Sequence, residues 1–263
     1  MSPGAKKYRI EDLRRMLDEQ VDQLNNPAFI TKDPVSIPHR FTKKQDIEIA
    51  GLFAALFSWG NRTTIINKSL DLMQRMDHAP HEFILRHGRT DLEKLLGFIH
   101  RTFNDTDLLG IVAFLHQHYH QEESLETAFT AGLLPGDSDT GNALRHFHQR
   151  VFSSDHIAER TRKHIPTPDR GSSCKRLNMY LRWMVRRDDK GVDFGLWKNI
   201  PPSLLICPLD LHVGRMARQL GLLKRRYDDW EAAVELTENL RLLDPKDPVR
   251  YDFALFGIGV NEK

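Results

Sequence analysis

Apolar residues recur at helical spacing along almost the whole chain. Ile10, Leu13, Leu17, Val21 and Leu24 follow the three-to-four-residue period of a helix and predict one over Ile10–Leu24. Pro27, Pro34 and Pro38 then predict an extended piece over residues 25–40. Thr42 is placed to cap an apolar helix over residues 43–57, with Ile49, Phe53, Leu56 and Phe57 on its buried side. Trp59-Gly60-Asn61-Arg62 breaks that pattern, and a helix over 63–76 follows. Shorter helical segments are predicted near 81–86, 91–96, 105–118 and 124–131, a loop over 133–142 and a helix over 142–152. A turn over 163–173, holding Pro166, Pro168 and Gly171, leads into an amphipathic helix over 174–187. After a turn-rich connector (188–207) come a helix opened by Asp210, one over 228–243, a turn over 244–248 and a last helix over 250–259. No alternating strand and no internal repeat stand out. The pattern predicts an all-α, multi-helical array.

Two of these helices carry residues that could do chemistry. In Pro208-Leu-Asp-Leu-His-Val-Gly-Arg-Met-Ala-Arg-Gln-Leu-Gly221, Asp210 is a favourable N-cap. Val213, Met216, Ala217 and Leu220 form one apolar face, and Gly221 suits the left-handed residue that ends a helix. His212, Arg215, Arg218 and Gln219 lie off that face. On the helix over 174–187, Lys175, Asn178, Arg182 and Arg186 make a polar stripe opposite Leu177, Tyr180, Leu181 and Met184. Taken alone, the first is a capped helix on a core, and the second exposes a lysine on a basic face.

Composition narrows the class. The 263 residues are 40% hydrophobic and 28% charged, as in soluble globular proteins, with no run of apolar residues long enough to span a membrane. The polar, basic start Met-Ser-Pro-Gly-Ala-Lys-Lys-Tyr-Arg does not read as a signal peptide. Two cysteines, Cys174 and Cys207, suit a reducing compartment and are too few for an iron–sulfur cluster. The expected location is therefore cytoplasmic. The net charge of +2 is uninformative, but residues 145–190 hold twelve basic residues against five acids, an excess suited to a phosphate backbone. His116 and His120 have a zinc-compatible i, i+4 spacing but lack matching further ligands, so a solvated helix end is the expectation, with no metal. Asn104, Asp105 and Asp107 read as a helix start. Phosphate-binding glycine loops and a serine nucleophile elbow are absent from the sequence.

The Asp210 segment resembles one in the helix-hairpin-helix DNA glycosylase superfamily, of the form [PV]-[LV]-D-x-H-V-x-R-[VM]-A-x-x-L-G, where the aspartate is catalytic. The superfamily places a glycine hairpin and a lysine ahead of it. Here Pro168-Asp-Arg-Gly-Ser-Ser-Cys-Lys175 is similar, with Gly171 four residues before Lys175. Arg170 stands where the pattern has a proline just before that glycine, Ser173 stands where it has a second glycine, and the connector to Asp210 is long. In that last respect it is closest to the archaeal branch that removes oxidised guanine. Asp46 to Arg62 is similar to the superfamily's opening helix, and Tyr251-Asp-Phe-Ala-Leu-Phe-Gly-Ile-Gly259 to its closing one. The whole chain also looks like an uncharacterised bacterial family known by its Pro-Leu-Asp-x-His-Val-Gly-Arg and Tyr-Asp-Phe-Ala-Leu-Phe-Gly segments.

The glycosylase resemblance implies an N-terminal helix and arm (residues 1–41) and a helical domain (42–263) with two lobes around a cleft. It implies base-excision repair of a damaged base, an oxidised purine being the candidate, with lyase activity as in bifunctional members. Lys175 would be the nucleophile and Asp210 its electrostatic partner. Gly171, Ser172, Ser173, Arg176, Arg182, Asn61, Arg62, His212 and Arg215 would contact DNA, although Asn61 serves equally as a helix cap. Trp59 and Trp197, each beside a turn, would stack on a base. The partner would be duplex DNA, the protein a nucleoid-associated monomer without cofactor. Two other classes fit the same residues: a non-catalytic nucleic-acid-binding protein on this fold, and a helical protein-interaction module.

Overall fold

The computed structural model describes residues 9–153 and 157–261; the basic start up to Tyr8 and Asp155 of the basic stretch lie outside them. The fold is all-α. In chain order the helices are α1 (Ile10–Leu24), α2 (Pro27–Ile30), α3 (Lys44–Phe57), α4 (Arg62–Arg75), α5 (Pro80–Arg86), α6 (Arg89–Glu93), α7 (Asp105–Tyr119), α8 (Thr127–Thr130), α9 (Gly141–Val151), α10 (Lys175–Val185), α11 (Leu211–Gln219), α12 (Trp230–Arg241) and α13 (Asp252–Asn261). Among the described residues no helix is long and apolar enough to cross a membrane.

Residues 25–40 are not extended. They coil into α2 and two 3-10 turns, Pro34–Ser36 and Pro38–Arg40, each with proline at its first position, where the missing N–H costs nothing and the ring presets the helical φ. Asp33 caps the first of them by accepting from the Val35 N–H. Thr42 does not cap α3; the N-cap is Lys43, which makes no side-chain bond there. One short hairpin escaped the sequence pattern. β1 (Ile99–His100) pairs antiparallel with β2 (Phe103–Asn104), and Arg101 turns the corner with φ +56°. Strands of two residues are too short to show alternation.

The chain divides into two compact units. One comprises residues 30–134 and 142–166. Its core surrounds α3, where Phe57 packs on Phe98 and Phe103 with ring centroids 5.4 and 5.1 Å away. The other unites the described residues up to Phe29 with Pro135–Gly141 and residues 167–261. α1 belongs to this second unit. The reason is the apolar face of α1: Leu13, Leu17 and Val21 are buried, and α1 packs on α13, where Gly257 lets Leu24 approach more closely than any β-carbon would allow. In the same unit α13 also packs on α11, the helix that Asp210 opens.

Candidate active site

The site begins in the hairpin before α10. Thr167 is extended, Pro168–Arg170 makes one 3-10 turn, and Gly171 closes it in the left-handed conformation (φ +67°) with its N–H on the Pro168 carbonyl. A second left-handed residue is needed to enter α10. It is Cys174 (φ 53°), one position beyond the expected second glycine, and the Ser172 hydroxyl accepts from its N–H at 3.1 Å. A non-glycine residue in this region costs on the order of 1 kcal/mol, so the surroundings must hold it. They do: the Ser173 hydroxyl donates to the Leu209 carbonyl at 2.9 Å, and the buried Asn178 amide donates to the Ser173 carbonyl at 3.0 Å. Ser173 thus ties the turn before α10 to the residue just before Asp210.

Asp210 uses its two carboxylate oxygens differently. Oδ1 accepts from the His212 and Val213 N–H groups at 2.9 and 3.0 Å, which caps α11 and places the charge at the positive end of the helix. Oδ2 lies 3.9 Å from Lys175 Nζ. The two side chains are 27% and 26% exposed, open enough for a ligand to reach them. At 3.9 Å the charges attract, yet the separation exceeds a direct hydrogen bond and leaves the amine able to turn. The far end of α11 is held as firmly: Gly221 (φ +76°) ends it, with the Gly221 and Leu222 N–H groups on the Arg218 and Ala217 carbonyls.

Further along the polar stripe of α10, the structure departs from expectation. Arg182 is buried, bonded to Asp193 (3.3 Å) and Asp252, with its guanidinium 4.3 Å above the Phe253 ring. It is a core ion and not a phosphate contact. Arg186 is likewise buried among Asp188, Asp193 and Asp247 at 2.7, 3.0 and 2.9 Å. The excess of positive charge over residues 145–190 is therefore partly neutralised by acids from elsewhere in the sequence, which a linear count does not reveal. Burial pushes Asp252 up to about 6 against the opposing pull of Arg182, while Asp210 pushes it further up and Lys175 draws it down. Cys207, just before Asp210, is also fully buried, and burial pushes its thiol well up.

The other expected residues divide by unit. Gly171 is exposed, Ser172 and Ser173 are half-buried, and all three stand with Lys175 and Asp210. Arg176 is half-buried, and burial brings its guanidinium down to about 10. Half-buried His212 lends its N–H to Asp210, and exposed Arg215 donates to the Gly259 carbonyl at 2.8 Å. Trp197 is 1% exposed, edge-on to Tyr180 at 5.4 Å; its ring belongs to the core and is not presented for stacking. Asn61, Arg62 and Trp59 belong to the other unit. There Asn61 Oδ1 caps α4 by accepting from the Thr64 N–H at 3.1 Å, and Arg62 is exposed. Trp59 is half-buried beneath the Arg101 guanidinium, 4.5 Å from its ring centre. His116 and His120 lie with ring centres 4.3 Å apart, and no group of three or more metal-ligating side chains among the described residues is placed to hold an ion.

Asp193 and Asp252 were missed from sequence. Asp252 does sit in the recognisable Tyr251-Asp-Phe253 segment, where it reads as an ordinary first-turn acid; nothing in the chain pairs it with Arg182.

Neither the curated proteins nor the solved structures give a match to this chain. A family model described as "Protein of unknown function (DUF2400)" matches residues 33–261, nearly the whole chain and both compact units. The chain therefore belongs to the DUF2400 family.

Proposed function

We propose that this protein is a DNA base-excision enzyme of the helix-hairpin-helix glycosylase type, with Lys175 as nucleophile and Asp210 as its electrostatic partner. The observation that carries the reading is the 3.9 Å approach of Lys175 Nζ to the uncommitted oxygen of Asp210, each at the start of its helix. Two residues well separated in sequence come within Coulombic reach, and the Ser173–Leu209 bond ties together the segments that carry them.

The step would run as follows. A flipped nucleotide presents its sugar to the Lys175 amine. The amine lone pair forms a C–N bond at C1′ as the glycosidic bond breaks; the bonding pair leaves with the base, which takes up a proton. Asp210 stabilises the positive charge that develops on the sugar. The resulting N-glycoside loses an amine proton; its nitrogen lone pair then forms the C=N bond of the imine as the C1′–O4′ bond breaks, and O4′ leaves with the bonding pair and takes up a proton. The start of α10 offers backbone N–H groups to a phosphate. The substrate class is duplex DNA with a damaged base, and an oxidised purine is the first to try.

The test is borohydride trapping on duplexes carrying an abasic site, an oxidised guanine and a wider lesion panel. Reduction of the imine leaves a covalent adduct with wild type and none with Lys175→Gln. Absence of any adduct across the panel, with binding that is independent of lesion and weakens steeply with salt, would replace the enzyme with a non-catalytic nucleic-acid-binding protein. No DNA affinity even at low salt would leave a protein-interaction module.

A further inference from the structure

The tip of the β1–β2 hairpin holds a cation in place and gives it no anion. Arg101 stands there in the left-handed conformation (φ +56°), at a turn position that glycine or asparagine would fill with less strain. The hairpin is tied down on both sides of it. The buried His100 ring bonds through Nε2 to the Phe57 carbonyl at 3.0 Å, and the Thr102 carbonyl accepts from Arg160 at 2.9 Å. Arg160 is itself held 3.4 Å from buried Asp107, which also accepts from the Thr161 hydroxyl and the Asn104 N–H at 2.8 and 3.0 Å. All of these residues belong to the unit of residues 30–134 and 142–166.

The guanidinium is braced as well. Its centre lies 4.5 Å from that of the Trp59 ring, and Gly60 (φ +104°) leaves the room it occupies, since a β-carbon there would collide with it. Trp59 is kept although its indole N–H is buried with no hydrogen bond among the described residues, a loss that phenylalanine would avoid. What tryptophan adds is the aromatic face that holds a cation best. Arg101 is exposed, and its guanidinium makes no hydrogen bond and no ion pair among the described residues. Other arginines of the unit have a carboxylate: Arg75 meets Asp71 at 2.9 Å, Arg86 meets Glu82 at 3.0 Å and Arg162 meets Glu159 at 2.6 Å. Two residues beyond Gly60, exposed Arg62 opens α4, and the positive end of that helix adds to the field. A strained, braced hairpin that holds an unpaired guanidinium against a ring suits capture of an oxyanion.

We propose that Arg101, clamped on Trp59, is a phosphate-binding residue. A guanidinium fork fits two oxygens of one phosphate, and with Trp59 fixing its place little side-chain freedom is lost on binding. That the phosphate is one of the DNA backbone rests on the function proposed above; the anion site itself needs no glycosylase chemistry.

The test titrates the full chain with inorganic phosphate and follows the arginine Nε–Hε signals by NMR, the Arg101 signal being the one lost in both Arg101→Gln and Arg101→Lys. Phosphate should shift it more than sodium chloride of equal ionic strength does, and more than it shifts the signal of Arg75. An Arg101 signal that phosphate moves no further than chloride overturns the proposal. A second arm measures binding of a labelled, undamaged duplex by fluorescence anisotropy over a range of salt. Arg101→Gln should weaken it about two- to fivefold and lower the slope of log affinity against log salt by about one. Arg101→Lys should keep that slope, and Trp59→Leu, which keeps the charge but frees the guanidinium, should weaken binding in the same direction. Wild-type affinity and slope in Arg101→Gln would overturn DNA as the source of the phosphate. If phosphate moves the Arg101 signal but wild type binds no duplex, the site serves a free phosphate and the nucleic-acid reading fails. If Arg101→Gln weakens duplex binding while wild type traps nothing with borohydride, the glycosylase reading fails and the Arg101 contact stands.

Discussion

Asp210 does two jobs with two oxygens, and substitution can separate them. Oδ1 satisfies two N–H groups that α11 cannot pair internally, and Oδ2 faces Lys175. Asp210→Ala removes the cap and the charge. Loss of an aspartate N-cap costs about 1–2 kcal/mol, and the quarter-exposed pair with Lys175 adds at most about 1. Asp210→Asn keeps a good cap and loses the charge, so the cost is the charge–dipole attraction, about 0.3–1 kcal/mol, plus the same small pair term. The two variants should therefore differ in stability by roughly 1 kcal/mol, read as the difference in urea midpoints by far-UV circular dichroism at one pH and salt concentration. In borohydride trapping they should be indistinguishable, because both lack the carboxylate. The reasoning fails if Asp210→Asn is as unstable as Asp210→Ala, since the cap would then not be the structural role. It fails equally if Asp210→Asn traps DNA like wild type, since the charge would then not be the chemical one.

Asp252 makes stability depend on pH. Its folded value of about 6 lies above the roughly 3.9 of an unfolded aspartate, so its contribution is complete below about pH 4 and is lost as pH rises through 6. The difference in unfolding free energy between wild type and Asp252→Asn should fall by on the order of 3 kcal/mol from pH 4 to pH 7, and a pH-independent difference would contradict the assignment. Arg182→Met leaves Asp252 without its hydrogen-bonded cation and should cost about 3–5 kcal/mol at pH 7 in denaturant unfolding, far more than loss of a surface arginine. Trp197→Ala should cost about 3–5 kcal/mol as a core truncation, while Trp59→Ala, at a half-buried ring, should cost less; comparable losses would refute the distinction. Gly60→Ala forces a β-carbon onto the Arg101 guanidinium at φ +104°, so chemical-shift changes should centre on Arg101 and Trp59.

Much of this protein is local and could be read without coordinates. The apolar period of α1, the Asp210 cap and the Gly221 stop depend on residues within one or two turns of each other, and the structure places all three where the pattern does. Pro27, Pro34 and Pro38 predict an extended piece, yet each opens a helical turn, because proline at the first position of a helix and proline in an extended arm look alike in a sequence. The candidate site was half legible. Lys175 and Asp210 are each marked by their neighbours in the chain, but their 3.9 Å approach goes with the hydrogen bond from Ser173 to Leu209, a contact between segments distant in the sequence.

What only the tertiary structure decided is where the charges go. Arg182 and Arg186 are spaced as a solvated stripe, and Lys175 on the same stripe is indeed part-exposed; the segment after α10, the turn before α13 and α13 itself bring Asp193, Asp247 and Asp252 to the two buried arginines. Helical period records which residues share a face, and it determined that much here. Whether a face meets water or another element's carboxylates depends on contacts distant in sequence, and Coulomb's law acts on those distances without regard to order along the chain.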